Sequence, residues 1–414
     1  VPNGVTTIEW SAFQGCTRLL AVVIPDTVTN IGSDAFAGCT NLTLVTIPAS
    51  VTSIGSGAFN GCSKVSVARG NTTFISTIEG VLIDTKKQKI LHAPTSITAY
   101  YIPNGVKAID AEAFAGCSRL AFLTIPNSVT EIGFFAFTDC TSLRTVTLPA
   151  SLQKMGESIF AGCTGLTSVT LPPNMREIVP GLFSGCTALT SITLPDSVTT
   201  IGGSAFEECS ALTSITLPDN VTKIGWGAFE DCTSLTTITL PPSVTDLGLY
   251  TFKNCKSLTS VNIPDGVTVI GNEAFMNCLN LTAINIPAGV TRLGERTFFT
   301  CKRLASVTLP AGLTEINDAA FFGCLSLSSI TLPASLKEIG WSALSGCGAV
   351  AVEEGNTAFL STPDGTLLSA DGRTLIHVPN TLSTYTIPAC VTTIESEAFF
   401  CCDKLTAVTI PSSV

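Results

Sequence analysis

The chain has 414 residues, 45% of them apolar and only 13% charged, with 21 Lys and Arg against 31 Asp and Glu for a formal charge of −10. That acidity excludes a phosphate-backbone binder, which relies on clustered cations to release counterions, so no nucleic acid is expected as a partner. Mean hydropathy is +0.46, yet the longest apolar runs, such as residues 19–24, end at Pro or Gly after about six residues, far short of the ~20 that cross a bilayer; no membrane span is expected, and the apolar residues must fill a protein interior.

The first 61 residues set out a repeat. Proline follows an apolar residue at Pro25 and Pro48, with Pro2 in phase, and it recurs as far as Pro411 in thirteen steps of 23 residues and two of 55, with no remainder. A fixed period of this length marks a solenoid, in which one unit makes one coil and cannot bury its apolar side alone. One solenoid is therefore expected over 1–414. Regular repeats occupy 1–61, 104–346 and 389–414, and longer modules occupy 62–103 and 347–388. Both ends fall inside a repeat without polar capping units, so the sequence is expected to be a region of a longer protein. Trp10 introduces a variable phase shared by Phe134, Trp226 and Trp341, where other units carry Ser33, Gly203 or Asn272. Such variation places the phase at least partly in solvent. Two readings stand: the rings cover a turn, or they are aromatic contacts for a partner, since Trp is enriched at binding hot spots.

The module at 62–103 matches 347–388 at a constant offset of 285, pairing Gly70-Asn71-Thr72 with Gly355-Asn356-Thr357, Phe74 with Phe359, His92 with His377 and Tyr100 with Tyr385. Each is expected to add a β-hairpin, turning near residues 85–88 and 370–372. His92 and His377 are the only histidines. They lie about a dozen coils apart, on the order of 50 Å at the spacing of stacked strands, so they cannot share a site. Their matched context assigns them a structural role.

Within 104–346, residues 195–217 read P-D-S-V-T-T-I-G-G-S-A-F-E-E-C-S-A-L-T-S-I-T-L. The apolar positions that repeat are Val198, Ile201, Ala205, Phe206, Cys209, Leu212, Ile215 and Leu217. Neither a helical period nor a long alternation accounts for this spacing, whereas a short strand, a turn and a 3₁₀ or irregular arc do. At the end of the unit Leu212, Ile215 and Leu217 face inward and Ser214 and Thr216 outward, the L-x-x-L-x-L strand of leucine-rich repeats. The expected fold is a mainly β, right-handed leucine-rich-repeat solenoid with a parallel sheet on one face and arcs on the other. Outward hydroxyls then line up from coil to coil, with Thr147, Thr170, Thr193, Thr216, Thr239, Thr308 and Thr331 as the candidate ligand-binding face and Phe122 interrupting the ladder near one end. Thr also simply suits a pleated sheet. The alternative is a polar face that grips a protein segment or a glycan.

Phe holds one phase in every unit except that of Leu344, and Cys holds another in fifteen units. Burying each ring contributes roughly 2–3 kcal/mol, so a phenyl spine should dominate stability. There is no C-x-x-C pair, and stacked equivalent cysteines have no preferred partner, so buried free thiols are expected. Cys390 and Cys401 fall outside that phase, and a local disulfide between them stays open. No carboxylate pair, phosphate loop or nucleophile elbow is present, so no catalytic, metal-binding or cofactor-binding residue is assigned and none of these ligands is expected.

The spaced Pro, Val, Ile, Ala-Phe, Cys and Leu positions resemble the BspA-like, or treponemal-class, leucine-rich repeats over essentially the whole chain. That resemblance implies a non-catalytic, extracellular or cell-surface protein that binds protein ligands such as host extracellular-matrix or receptor proteins. A stalk presenting another domain is the alternative. A more remote one is an ice-binding solenoid, suggested by the T-x-T rows.

Overall fold

The computed structural model describes all 414 residues, which form two compact units, Val1–Pro195 and Asp196–Val414. Each is an all-β parallel solenoid with coils of about 23 residues and no helix.

The regular coils of the second unit show why the sequence folds this way. Strand Ser214–Thr216 pairs in parallel with Thr237–Thr239, setting Ile215 against Ile238 and Thr216 against Thr239. The sheet continues through Ser260–Asn262 and Ala283–Asn285 to Ser306–Thr308. Alternation along each strand buries Ile238 and leaves Thr237 and Thr239 exposed, as a pleat with one solvated face requires. Proline then closes the strand without breaking the ladder. Pro218 accepts the Val221 amide at 3.0 Å in the turn that follows.

A second parallel sheet runs through Thr200–Ile201, Lys223–Ile224, Asp246–Leu247 and Val269–Ile270. The sequence pattern did not single it out, because two-residue strands are too short to show a period. Between the sheets lies an arc of turns, the irregular form of the two expected for this segment. Tyr250 and Asn254, two residues before and after Phe252, have φ of 60° and 59°. Those left-handed residues direct the amides of Tyr250, Phe252 and Asn254 at the next coil, where they donate to the carbonyls of Asn272, Ala274 and Met276 at 3.0, 2.8 and 2.8 Å. A 3₁₀ turn would close these bonds within its own coil. Here they join coils and hold the rings in register.

The interior follows from that register. Phe206, Phe229, Phe252, Phe275, Phe298 and Phe321 are fully buried and stack with centroids 5.3 to 5.6 Å apart. Each thiol adds a bond between coils, as where Cys255 Sγ donates to the Phe229 carbonyl at 3.1 Å and Cys278 Sγ to that of Phe252 at 3.2 Å. All seventeen cysteines carry free thiols, so the Cys390–Cys401 disulfide is not formed.

The first unit repeats the same coil and carries the module at 62–103. That module is a three-stranded antiparallel meander of Phe74–Ser76, Leu82–Asp84 and Lys89–His92, one strand more than the expected hairpin. Asn71 starts it. Its side-chain amide donates to the carbonyls of Pro48 and Val51 while its oxygen accepts the amides of Thr73 and Phe74. The meander returns to the solenoid where Lys89–His92 pairs in parallel with Ala108–Ile109. Most of one arc is then skipped: Ala93 stands where a Phe would, its amide donating to Ala113 at 2.7 Å. His92 and Tyr100 fill the gap, 6.4 Å from Phe59 and 5.9 Å from Phe114. In the second unit Asn356, the meander Phe359–Ser361, Leu367–Ser369 and Thr374–His377, and the His377 and Tyr385 pair repeat this arrangement.

Candidate binding surfaces

The strand face presents hydroxyls as expected. Thr147, Thr170 and Thr193 in the first unit, and Thr216, Thr239, Thr308 and Thr331 in the second, are all exposed. Thr147 lies opposite Thr170; Thr216, Thr239 and Asn262 form one row. Phe122 is 70% exposed on this face, and the structure gives it a neighbour that sequence reasoning missed. Strand Ala99–Tyr101 pairs with Phe122–Thr124, setting Tyr101 opposite Thr124 and one diagonal from Phe122. Tyr101 is 73% exposed. Diagonal neighbours on a sheet are within reach of aromatic side chains, so the two rings share one patch beside the hydroxyl rows. Aligning the last strand of the module with the regular L-x-x-L-x-L strand would have found Tyr101 at the phase of Thr216.

The variable aromatic phase lies on the opposite side of the coil, just before the arc. Trp10, Phe134, Trp226 and Trp341 are each more than half exposed. They stand on separate coils and are not brought together in one site. Trp226 lies back along the solenoid, its indole Nε1 only 2.6 Å from where a Cβ on Gly203 would be.

The arc face of the second unit carries a polar ladder. Lys253 Nζ bridges Glu230 at 3.3 Å and Glu273 at 3.1 Å, and sits 4.6 Å from the Tyr250 ring centroid. Beside it Asn254 donates to Asp231 at 3.2 Å and Asn277 to Asn254 at 2.8 Å. Burial raises the Glu230 carboxyl against the pull of Lys253. Further along, polar residues give way to Met276, Phe299 and Phe322, which line a cleft of about 360 Å³ with Glu295, Asp318 and Trp341. No group of three or more His, Cys, Asp or Glu side chains is placed to hold a metal ion. No helix is long and apolar enough to cross a membrane.

The profile of the BspA type leucine rich repeat region matches the chain in six copies, over residues 1–98, 87–189, 176–304, 268–352 and 377–414. The chain belongs to the BspA-type leucine-rich repeat family. A solved leucine-rich repeat protein from Bacteroides ovatus ATCC 8483 is 30% identical over 81% of this chain and 87% of its own, with a TM-score of 0.51. A leucine rich cell surface protein from Faecalibacterium prausnitzii A2-165 is 27% identical over 94% of this chain and 87% of its own, with a TM-score of 0.42. A leucine-rich repeat protein from T. pallidum is 30% identical over 50% of this chain and 86% of its own, with a TM-score of 0.39. Curated proteins give no match. The BspA-type repeat accounts for the Pro, Phe, Cys and Leu positions; Tyr101, Phe122 and the residues of the arc cleft lie between them, where the repeat leaves the choice of side chain free.

Proposed function

We propose that this BspA-type chain is a non-catalytic binding protein of the cell surface or exterior, holding an extended segment of a host matrix or receptor protein across the strand face of its first unit. The observation that carries this reading is the pair Tyr101 and Phe122, both about 70% exposed on neighbouring strands of a parallel sheet. Exposing adjacent aromatic rings costs hydrophobic free energy that burial against a partner recovers, and such rings dominate binding hot spots. The rows at Thr145, Thr147, Ser168 and Thr170 lie beyond them as exposed hydrogen-bonding groups. Membership of the family and the surface location of the Faecalibacterium prausnitzii relative support the placement outside the cell.

The test is binding of the full chain to immobilised fibronectin and fibrinogen by surface plasmon resonance. Saturable binding that falls at least about tenfold in Tyr101→Ser with Phe122→Ser, and again in Thr147→Arg, is the expected result; truncating hot-spot aromatics commonly costs 1–2 kcal/mol or more. Binding indifferent to all three substitutions refutes the strand face as the site. No binding to any matrix protein leaves the stalk reading, and thermal hysteresis in solution would point to ice.

A further inference from the structure

We propose that the arc cleft of the second unit is a receptor for arginine side chains, carried on a basic segment of a protein partner. This inference is independent of the strand-face reading, since it concerns the other side of the coil.

Within each unit the position immediately after each spine Phe forms a row along the arc face. It carries Gln14, Ala37, Asn60, Ala115, Thr138, Ala161, Ser184, Glu207, Glu230 and Lys253, then changes character to Met276, Phe299, Phe322 and Phe400. Phe299 and Phe322 stack at 4.9 Å, and Phe322 meets Phe400 at 4.4 Å. The second contact spans the coil of Ser345, which is small and buried, so Phe400 closes down over Gly346. All three rings are half-buried, giving an apolar wall with an open side.

The opposite wall is acidic. Glu295, Asp318 and Glu397 line the cleft and are exposed. Asp318 is held by accepting the Trp341 amide at 2.7 Å, and Glu397 by accepting the Ser342 hydroxyl at 2.8 Å. The one cation lining the cleft, Arg296, lies 3.7 Å from Glu273. Aromatic faces beside carboxylates without a matching cation suit one kind of side chain, a planar guanidinium that stacks on rings and donates forked hydrogen bonds to carboxylates. The same surface already solves this problem internally: Lys253, in the same row, lies between Glu230 and Glu273 and over Tyr250. Where the row turns aromatic it holds no cation of its own, Arg296 is turned to Glu273, and Glu295, Asp318 and Glu397 are left without an ion pair. The cleft volume of about 360 Å³ is at the lower end of small-ligand pockets, right for one or two long side chains.

The first module shows that the fold does not demand these aromatics. At the offset of 285, Phe322, Phe400 and Trp341 correspond to Ala37, Ala115 and Ser56. The backbone arrangement recurs without the platform, and Phe322→Ala or Phe400→Ala would restore residues that the same arrangement already accommodates.

The experiment uses the full chain and a fluorescein-labelled Gly-Arg-Gly-Arg-Gly-Gly peptide, with a twin in which neutral citrulline replaces arginine, read by fluorescence anisotropy. The arginine peptide should bind saturably and the citrulline twin at least about tenfold more weakly. Asp318→Asn with Glu295→Gln, and separately Phe322→Ala, should each lower affinity about fivefold, the scale of a desolvated cation–π or charged contact; thermal melts should show the fold retained. Tyr101→Ser with Phe122→Ser should change nothing, so a failure here is distinct from a failure of the strand-face reading. Equal binding of both peptides, no saturation at millimolar peptide, or binding of neutral maltohexaose with both peptides inert would each overturn the proposal.

Discussion

The thiol of Cys255 has no exposed surface and donates to the Phe229 carbonyl at 3.1 Å. A small apolar group fits the space behind the phenyl ring, and a thiol can do so while also satisfying the carbonyl that points at it. Burial pushes the thiols up, Cys62, Cys117 and Cys301 to about 12. Since the thiolate is the reactive form, these residues should be inert. Iodoacetamide at pH 8 should therefore label native protein at exposed Cys16 and Cys390, more slowly at half-buried Cys401 and Cys402, and at the remaining thirteen only after denaturation. Rapid native labelling at Cys255 or Cys278, read by peptide mass spectrometry, would show that the spine is open to solvent.

At the scale of the element, the long modules hold the sharpest pH dependence. Burial lowers both His92 and His377 from the ordinary value of 6.5 to about 4. The folded chain keeps these rings neutral while the unfolded chain takes up protons below about 6.5. Stability is thus fully present above that pH and falls as pH drops toward about 4, where the folded state begins to titrate as well. A shift of this size corresponds to a loss on the order of 3 kcal/mol for each ring. Melting temperature should therefore decline between pH 6.5 and 4.5, and His92→Leu should flatten the decline contributed by the first unit. An unchanged slope would mean that the ring is hydrated. The modules also show how far pattern reading reaches. The 285 offset and the turn at 85–88 were legible because they repeat. The third strand, Phe74–Ser76, was not, because its register is set by the Asn71 side chain, a contact invisible to periodicity. The irregular arc was legible as a segment without a period, but its left-handed positions were not, since they are filled by Tyr250, Glu273 or Arg296 as readily as by glycine. The cleft escaped for a related reason: averaging over units hides a row that becomes aromatic only from Met276 onward.

On the scale of the molecule, every registered pair between regular coils joins residues 23 apart, as Ile215 to Ile238 and Val22 to Val45. Each coil is thus held by the one before and the one after, and stability approximates a sum of local terms. Phe275 is sandwiched between Phe252 at 5.4 Å and Phe298 at 5.4 Å with no exposed surface. Phe275→Ala should cost about 3–5 kcal/mol through lost burial and the cavity left behind. A globular core would spread that loss over all its elements. In a stack it should stay local: hydrogen exchange should accelerate at the amides of Phe252, Phe275 and Phe298, while those of Ile31 and Val146 in the other unit keep their protection. Uniform acceleration across the chain would mean that the coils unfold as one cooperative body, and that nearest-neighbour stacking does not describe how this fold is held together.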